Sequence, residues 1–413
     1  MKARMTIILE SVTLLSIALF VLCPGACADC PPGDLNRDCR VDAADLSVFA
    51  QHWLAEVDTP ADLDGSRRVD SCDLSVFATH WQEVGCPIVI NEILAHAHAE
   101  ASDWIELHNV SRVPVDIGGW FLSDSENELL RYEIPAGTIV DPCGYVVLYE
   151  TTHFGNPFDP GVRTPFAFSE NGETACLFSG DDPVFPRCLV TVPFGASETG
   201  SSFGRHRRST GTCDFVTMRE ATPGRDNAYP LVGPVVINEI MYHPATDSDA
   251  EYVELLNVSN GPVTLFDFAA LEPWRLLDDS GISLWFPVDE PLTLAAGEHL
   301  LLARDEASLA PYQVPVDAKV LYWGSGKLAN EGENLVLVKP GDVDDGGTRY
   351  WIEVDRVRYS DGAHPEELHD GMDPWPREAD GQGPSLNRLF PSRYGNDPNN
   401  WQATIPTPGA VND

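Results

Sequence analysis

The sequence predicts a mainly β chain in which two β-sandwich domains follow one small α-helical module. Three observations carry this. Thirty-three Gly and 33 Pro are spread among short aliphatic and β-branched runs, a pattern that favours strands and turns over helix bundles. A long direct repeat links IVINEI at Ile88 to VVINEI at Val235, and a short one with an offset of 28 is confined to residues 34–82. The length of 413 residues exceeds one ordinary core. The 43 % hydrophobic content excludes wholesale disorder. Sixty-four acidic against 26 basic residues give a formal charge of -38. Such a field repels phosphate backbones and anionic bilayers, so nucleic acid is a poor partner.

Residues 1–28 read as a signal peptide. Lys2 and Arg4 precede an uncharged run over 11–23, and Ala26-Cys27-Ala28 places small residues where a signal peptidase reads. The uncharged run is shorter than the roughly 20 residues a membrane span needs. The expectation is an exported protein, secreted or at the cell surface, with no transmembrane segment after cleavage. Export permits disulfides. The cysteines after residue 28 fall as 30, 39, 72 and 86, then 143, 176, 188 and 213, and none occurs in the last 200 residues.

The short repeat aligns DLNRDCRVDAADLSVFAQHWL from Asp34 with DLDGSRRVDSCDLSVFATHWQ from Asp62. Each copy sets oxygen-bearing side chains at loop positions 1, 3, 5, 9 and 12, the spacing with which an EF-hand loop wraps a hard cation. These are Asp34, Asn36, Asp38, Asp42 and Asp45 in the first, and Asp62, Asp64, Ser66, Asp70 and Asp73 in the second. Position 7 is Arg40 or Arg68, each offering a backbone carbonyl. The cation expected is Ca2+. One amphipathic helix follows each loop, with Leu46, Phe49, Ala50 and Trp53 at helical spacing and Leu74, Phe77, Ala78 and Trp81 repeating it. Position 6, normally Gly, is Cys39 or Arg67. A loop plus one helix, duplicated, with Asp at position 12, resembles the type I dockerin module over residues 30–86. That resemblance implies calcium binding and a protein partner of cohesin type, read at loop positions 10 and 11, here Ala43, Ala44, Ser71 and Cys72. It also implies paired loops that meet at Val41 and Val69. A Cys39–Cys72 bridge with Cys30–Cys86 clasping the ends suits that pairing, as one of three possible connectivities.

The long repeat keeps its order throughout. ELHNVS at Glu106 matches ELLNVS at Glu254, ENGETACLF at Glu170 matches NEGENLVLV at Asn330, and ATPGRDN at Ala221 matches PTPGAVN at Pro406. The copies are expected over 87–228 and 233–413, with short strands and turns at sandwich spacing. The order NEI, a polar loop, an EL-x-NVS strand, a Trp and a closing TPGxxN resembles the bacterial lamin-tail domain. The resemblance implies an immunoglobulin-like fold and an interaction or attachment role. Trp120 and Trp274 are expected between the sheets, and Asn109 and Asn257 are expected to bond the backbone of a turn. The latter two also form glycosylation sequons. Alternation places Glu92 on the face of Ile88 and Ile90, there to accept hydrogen bonds or hold a cation.

No catalytic motif stands out. His96, His98 and Glu100 have a metal-like look but fall in a loop whose second copy offers only His243 as a counterpart, and the group His364, Glu366, Glu367, His369 and Asp370 lacks HExxH spacing, so both read as polar loops. The basic run Arg205, His206, Arg207 and Arg208 reads as a surface loop. The sequence therefore points to a secreted, non-catalytic, calcium-binding protein of extracellular or cell-surface binding, attachment or scaffolding, with a protein or polysaccharide partner. The competing reading is an extracellular hydrolase, a nuclease or esterase, with its site in insertions such as 151–170 or 360–382.

Overall fold

A computed structural model describes residues 30–56, 59–245, 249–344, 346–364 and 373–412. The expected signal peptide lies outside them. The chain is mainly β, with a small helical N-terminal region.

In that region Ala43–Gln51 and Ser71–Thr79 form the two helices (α1 and α2). Phe49 and Phe77 meet between them, with ring centroids 5.5 Å apart, and Val41, Ala61 and Val69 complete a core of five buried residues. Of the two apolar stripes only Phe49 and Phe77 are buried; Leu46, Trp53, Leu74 and Trp81 are exposed, because a pair of nine-residue helices has no second layer to cover more than one apolar side chain each. The loops also pair differently from expectation. Val41 exchanges hydrogen bonds with Gln82 and Glu83 beyond α2, and Val69 with Leu54 and Ala55 beyond α1. Val41 and Val69 thus pack in one core without bonding each other.

That pairing overturns the expected disulfides. Cys30 bonds Cys39, with Cα atoms 4.5 Å apart, and Cys86 bonds Cys188, with Cα atoms 5.6 Å apart, while Cys143 and Cys213 are also disulfide-bonded. Cys72 is an exposed free thiol. Cys86 thus staples the start of the β region to the strand Leu189–Phe194 instead of closing the helical module.

The first β unit is two facing antiparallel sheets. One has the order Cys213–Thr217, Phe203–Arg207, Ile88–Leu94, Trp104–Asn109, Tyr145–Tyr149. The other runs Tyr132–Glu133, Phe121–Ser123, Glu173–Phe178, Leu189–Phe194. Ile88, Ile90, Ile93, Ile105, Leu107 and a fully buried Trp120 fill the space between them. The second unit repeats this order with Trp401–Thr404, Ser385–Arg388, Val235–Met241, Tyr252–Asn257 and His299–Ala303 facing Ser283–Trp285, Arg275–Leu277, Gly332–Val343 and Arg349–Ser360. It adds Lys319–Tyr322, which lies parallel to His299–Ala303 after the short helix Glu306–Leu309. A parallel neighbour needs a crossover, and that helix supplies it.

Both central strands are buried along their whole length, and a matched pair of bulges explains why. The register slips between Ile90 and Glu92 and again between Ile237 and Glu239. One extra residue turns the following side chain to the opposite face, so Glu92 leaves the core row predicted for it and faces outward beside Asn91. The closing TPGxxN segment covers that face. Glu92 accepts from Ser202 Oγ (2.6 Å), Thr222 N (3.0 Å) and Thr222 Oγ1 (2.8 Å). Glu106, its cross-strand partner, accepts from Asn91 Nδ2 (2.7 Å) and from Gly224 N. Asn227 Nδ2 donates to Asn91 O (3.1 Å). The second unit builds the same lock. Glu239 accepts from Ser385 Oγ, Tyr252 OH and Thr407 N, Glu254 from Asn238 Nδ2 and Gly409 N, and Asn412 Nδ2 donates to Asn238 O. The repeated acids are thus hydrogen-bond acceptors that fasten each unit's closing segment over its sheet.

Asn109 and Asn257 do the turn work expected of them. Each amide donates to three backbone carbonyls and accepts from the serine two residues on. Both are fully buried, so the folded protein cannot offer these sequons for glycosylation.

Candidate metal centre

Each calcium-loop candidate is built around one buried aspartate. Asp45 is fully buried and accepts from the backbone N–H of Leu35 (2.8 Å), Asn36 (3.0 Å) and Asp42 (2.9 Å). Asp73 repeats this with Leu63 (2.7 Å), Asp64 (3.1 Å) and Asp70 (2.7 Å). The same residues start the helices. Asp42 and Asp70 are N-caps accepting from Ala44 N and Cys72 N, and Asp45 and Asp73 at the third helical position complete capping boxes. Loop positions 9 and 12 are therefore tied to the helix starts, where negative charge meets the positive end of the helix dipole.

The other candidates converge on these two. Oxygens of Asp34, Asp38 and Asp45 lie within 4.8 Å of one another, as do those of Asp62, Asp64 and Asp73. Asn36 Oδ1 accepts from Asp38 N and Asp38 Oδ1 from Arg40 N, each at 3.0 Å. In the second loop Ser66 Oγ donates to Arg68 O at 3.1 Å. Arg40 and Arg68 have exposed side chains, consistent with a role confined to their carbonyls.

The donor set suits a hard divalent cation. Asp62 Oδ1 is buried without a hydrogen-bond partner while its other oxygen accepts from Arg67 N, and a bare buried carboxylate oxygen is costly unless something positive reaches it. Asp34 shows the same tension: burial, then the nearby Asp45 and Asp38 charges, push its carboxyl up to about 6 against the pull of two backbone donors. At exposed Asp64 the Ser66 hydroxyl and N–H hold the carboxyl below its usual range.

Position 6 keeps its left-handed turn without glycine. Cys39 has φ 63° and Arg67 has φ 65°, a conformation that costs a side-chain-bearing residue about 1–2 kcal/mol. Cys39 is held there by its disulfide. Arg67 is exposed and donates only its backbone N–H to Asp62 (2.7 Å). Replacing Arg67 by Gly is therefore expected to raise the stability of the helical module by about 1 kcal/mol. Calorimetric melting of the full chain measures this, and an unchanged or lowered first transition would refute it.

The first loop is also a joint. The Cys30–Cys39 bridge packs on Val89 and Val110 of the first β unit, and Arg112 N donates to Arg37 O at 2.8 Å. The basic run is not a surface loop. Arg205 to Arg207 lie on the strand Phe203–Arg207, the His206 ring sits between Tyr229 and Tyr394, and Arg208 pairs with Asp214 (3.4 Å). Asp214 in turn accepts from Tyr394 OH (2.7 Å) and Asn396 Nδ2 (2.9 Å) of the second unit.

The other histidine groups do not assemble metal sites among the described residues. His96 bonds Ser197 O (3.1 Å) and Thr199 Oγ1 (2.9 Å). His364 Nε2 lies 3.7 Å from Asp361, and Glu366, Glu367, His369 and Asp370 lie outside the described residues.

Comparison with known proteins adds family assignments. No curated protein matches the chain. A solved DUF4876 family protein from Bacteroides thetaiotaomicron shares 12 % identity over 52 % of this chain and 86 % of its own, with a TM-score of 0.27. Residues 32–80 match the family described as Dockerin type I domain, and residues 82–184 match the Lamin Tail Domain family. The chain therefore carries a dockerin type I domain followed by a lamin tail domain.

Proposed function

We propose that this is an exported, calcium-stabilised attachment protein: the dockerin module over 29–86 docks a protein partner, and lamin-tail sandwiches over 87–228 and 233–413 serve as rigid platforms. The dockerin and lamin-tail types are non-catalytic modules of extracellular binding or attachment. The observation that carries the reading is the twice-built convergence of aspartate oxygens on a buried, helix-capping aspartate. Calcium, when bound, supplies a divalent charge that offsets the clustered carboxylates. Asp34, Asn36, Asp38, Asp42, Asp45 and the Arg40 carbonyl would hold it in one loop. Asp62, Asp64, Ser66, Asp70, Asp73 and the Arg68 carbonyl would hold it in the other.

The partner surface follows from what the helices leave bare. Leu46 on α1 with Trp53 in the turn after it, and Leu74 on α2 with Trp81 in the turn after it, stand exposed in repeat-related positions, as do Ala43, Ala44, Ser71 and Cys72 at the helix starts. Two small helices presenting apolar stripes suit a helix-docking partner of cohesin type.

Calorimetric titration of the full chain with calcium is expected to show two sites, one lost in Asp45→Ala and the other in Asp73→Ala. Chelation is expected to lower the melting temperature of the helical module. Absence of calcium heat, together with a melting curve indifferent to chelator, would sink the proposal.

A further inference from the structure

The outer face of the second unit's four-stranded sheet carries an aromatic platform that the attachment reading leaves unused. Leu276 and Leu284 point into the core, so alternation sets Arg275 and its cross-strand partner Trp285 on the opposite face. The Arg275 guanidinium lies 4.0 Å from the Trp285 ring centroid and 4.8 Å from that of Trp351. The two indoles meet edge to face with centroids 5.5 Å apart. Trp285 remains 47 % exposed. Close by, Arg349 Nη2 donates to Ala270 O (3.3 Å), and the loop so anchored displays Phe268 and Leu271, 66 % and 73 % exposed.

Among the described residues Arg275 makes no ion pair, although the sequence holds 64 acidic residues. Its Nε is buried with no hydrogen-bond partner, and its Nη2 reaches only Ser283 Oγ, at 3.4 Å. Stacking on indole faces fixes the guanidinium plane and leaves its edge to receive a carboxylate through paired N–H donors. The exposed half of the Trp285 indole offers an apolar surface of the kind on which the C–H face of a pyranose ring lies.

We propose that Trp285, Arg275 and Trp351 form a binding platform for an acidic polysaccharide, with a sugar ring on the exposed indole and its carboxylate on the Arg275 fork. The net charge of -38 gives no general attraction for a polyanion, so the contact must be local and must survive salt that screens long-range fields. The platform shares no residue with either calcium loop, so its binding and the loops' calcium binding stand or fall separately.

The test is affinity electrophoresis of the full chain through gels holding polygalacturonate, the neutral polymer hydroxyethylcellulose, or no polymer, with chelator present. Retardation is expected in polygalacturonate alone, to persist at elevated salt, and to weaken roughly tenfold in Trp285→Ala and in Arg275→Gln. Arg275→Lys keeps the charge without the fork and is expected to bind weakly as well. A tryptophan-emission change on adding polygalacturonate, present in the wild type and reduced in Trp285→Phe, reads the same contact in a variant that keeps the ring's bulk. No retardation, equal retardation by the neutral polymer, displacement by poly-glutamate as effective as by the sugar polymer, or binding unchanged in folded Trp285→Ala and Arg275→Gln would each overturn the proposal.

Discussion

Asp355→Ala is expected to destabilise the second β unit by about 3–5 kcal/mol, read as a drop in its urea midpoint. Asp355 comes from Arg349–Ser360 in one sheet and Arg388 from Ser385–Arg388 in the other. They meet at 2.7 Å, with Arg388 only 1 % exposed. Asp355 Oδ2 also accepts from Ile237 N (2.8 Å), while Arg388 donates to Ile237 O (2.9 Å) and Arg393 O (2.6 Å). The pair thus joins both sheets to the central strand. Removing the carboxylate leaves a guanidinium buried with carbonyl partners alone, and the cost is that of an uncompensated charge. The double replacement Asp355→Leu with Arg388→Met is expected to recover most of the loss, because a well-packed apolar pair also avoids desolvating two ions. A loss below about 1 kcal/mol in the single variant would show that water reaches Arg388 and that the pair is not a buried one.

Much of this architecture was readable in the residues. The duplicated NEI, NVS and TPGxxN motifs announced two like units, and the 12-residue aspartate spacing announced the loops. What escaped has physical reasons. The bulges at Asn91 and Asn238 add one residue to a ladder, which strict alternation cannot register, so Glu92 was assigned to the wrong face. Periodicity records which side chains share a face, not whether anything covers them, so the pattern at Leu46, Phe49 and Trp53 did not separate the buried Phe49 from its exposed neighbours. The disulfides followed loop pairing, which depends on where the chain runs after each helix. Arg388 and Asp355 stand 33 residues apart with no local pattern to link them. Arg205 holds the matching place in the first unit, since Gly204 pairs with Glu92 as Asn387 pairs with Glu239. A reading that aligned Ser202-Phe203-Gly204-Arg205 with Ser385-Leu386-Asn387-Arg388 had the signal to place that basic run on a strand.

Glu106→Gln is expected to flatten the dependence of stability on pH and to leave the variant at least as stable as the wild type at pH near 8. Glu106 is fully buried, and burial pushes its carboxyl up to about 7, against two hydrogen bonds that favour the charge and with the neighbouring Glu92 adding to the rise. The unfolded chain returns it to the usual value near 4.5. Below that value both states hold the proton and the folded acid contributes its full stability. Between 4.5 and 7 the native state retains a proton that the unfolded chain has released, so stability falls as pH rises, and above 7 the contribution is gone. A displacement of this size corresponds to a change on the order of 3 kcal/mol across the window. Glutamine keeps one acceptor for Asn91 or Gly224 and never ionises. It gives up one charge-assisted bond, worth about 1.5–3 kcal/mol, and escapes a buried-anion cost on the order of 3 kcal/mol. Other raised carboxyls, Glu173 at about 7 and Asp34 at about 6, slope the curves of both proteins alike, so the difference between wild type and variant isolates Glu106. Thermal melts in chelator from pH 5 to 8 decide the matter: converging curves at low pH with the variant level or ahead at high pH support a buried neutral acid in the lock. Parallel curves would mean that Glu106 stays ionised throughout, held by its donors more strongly than burial opposes it.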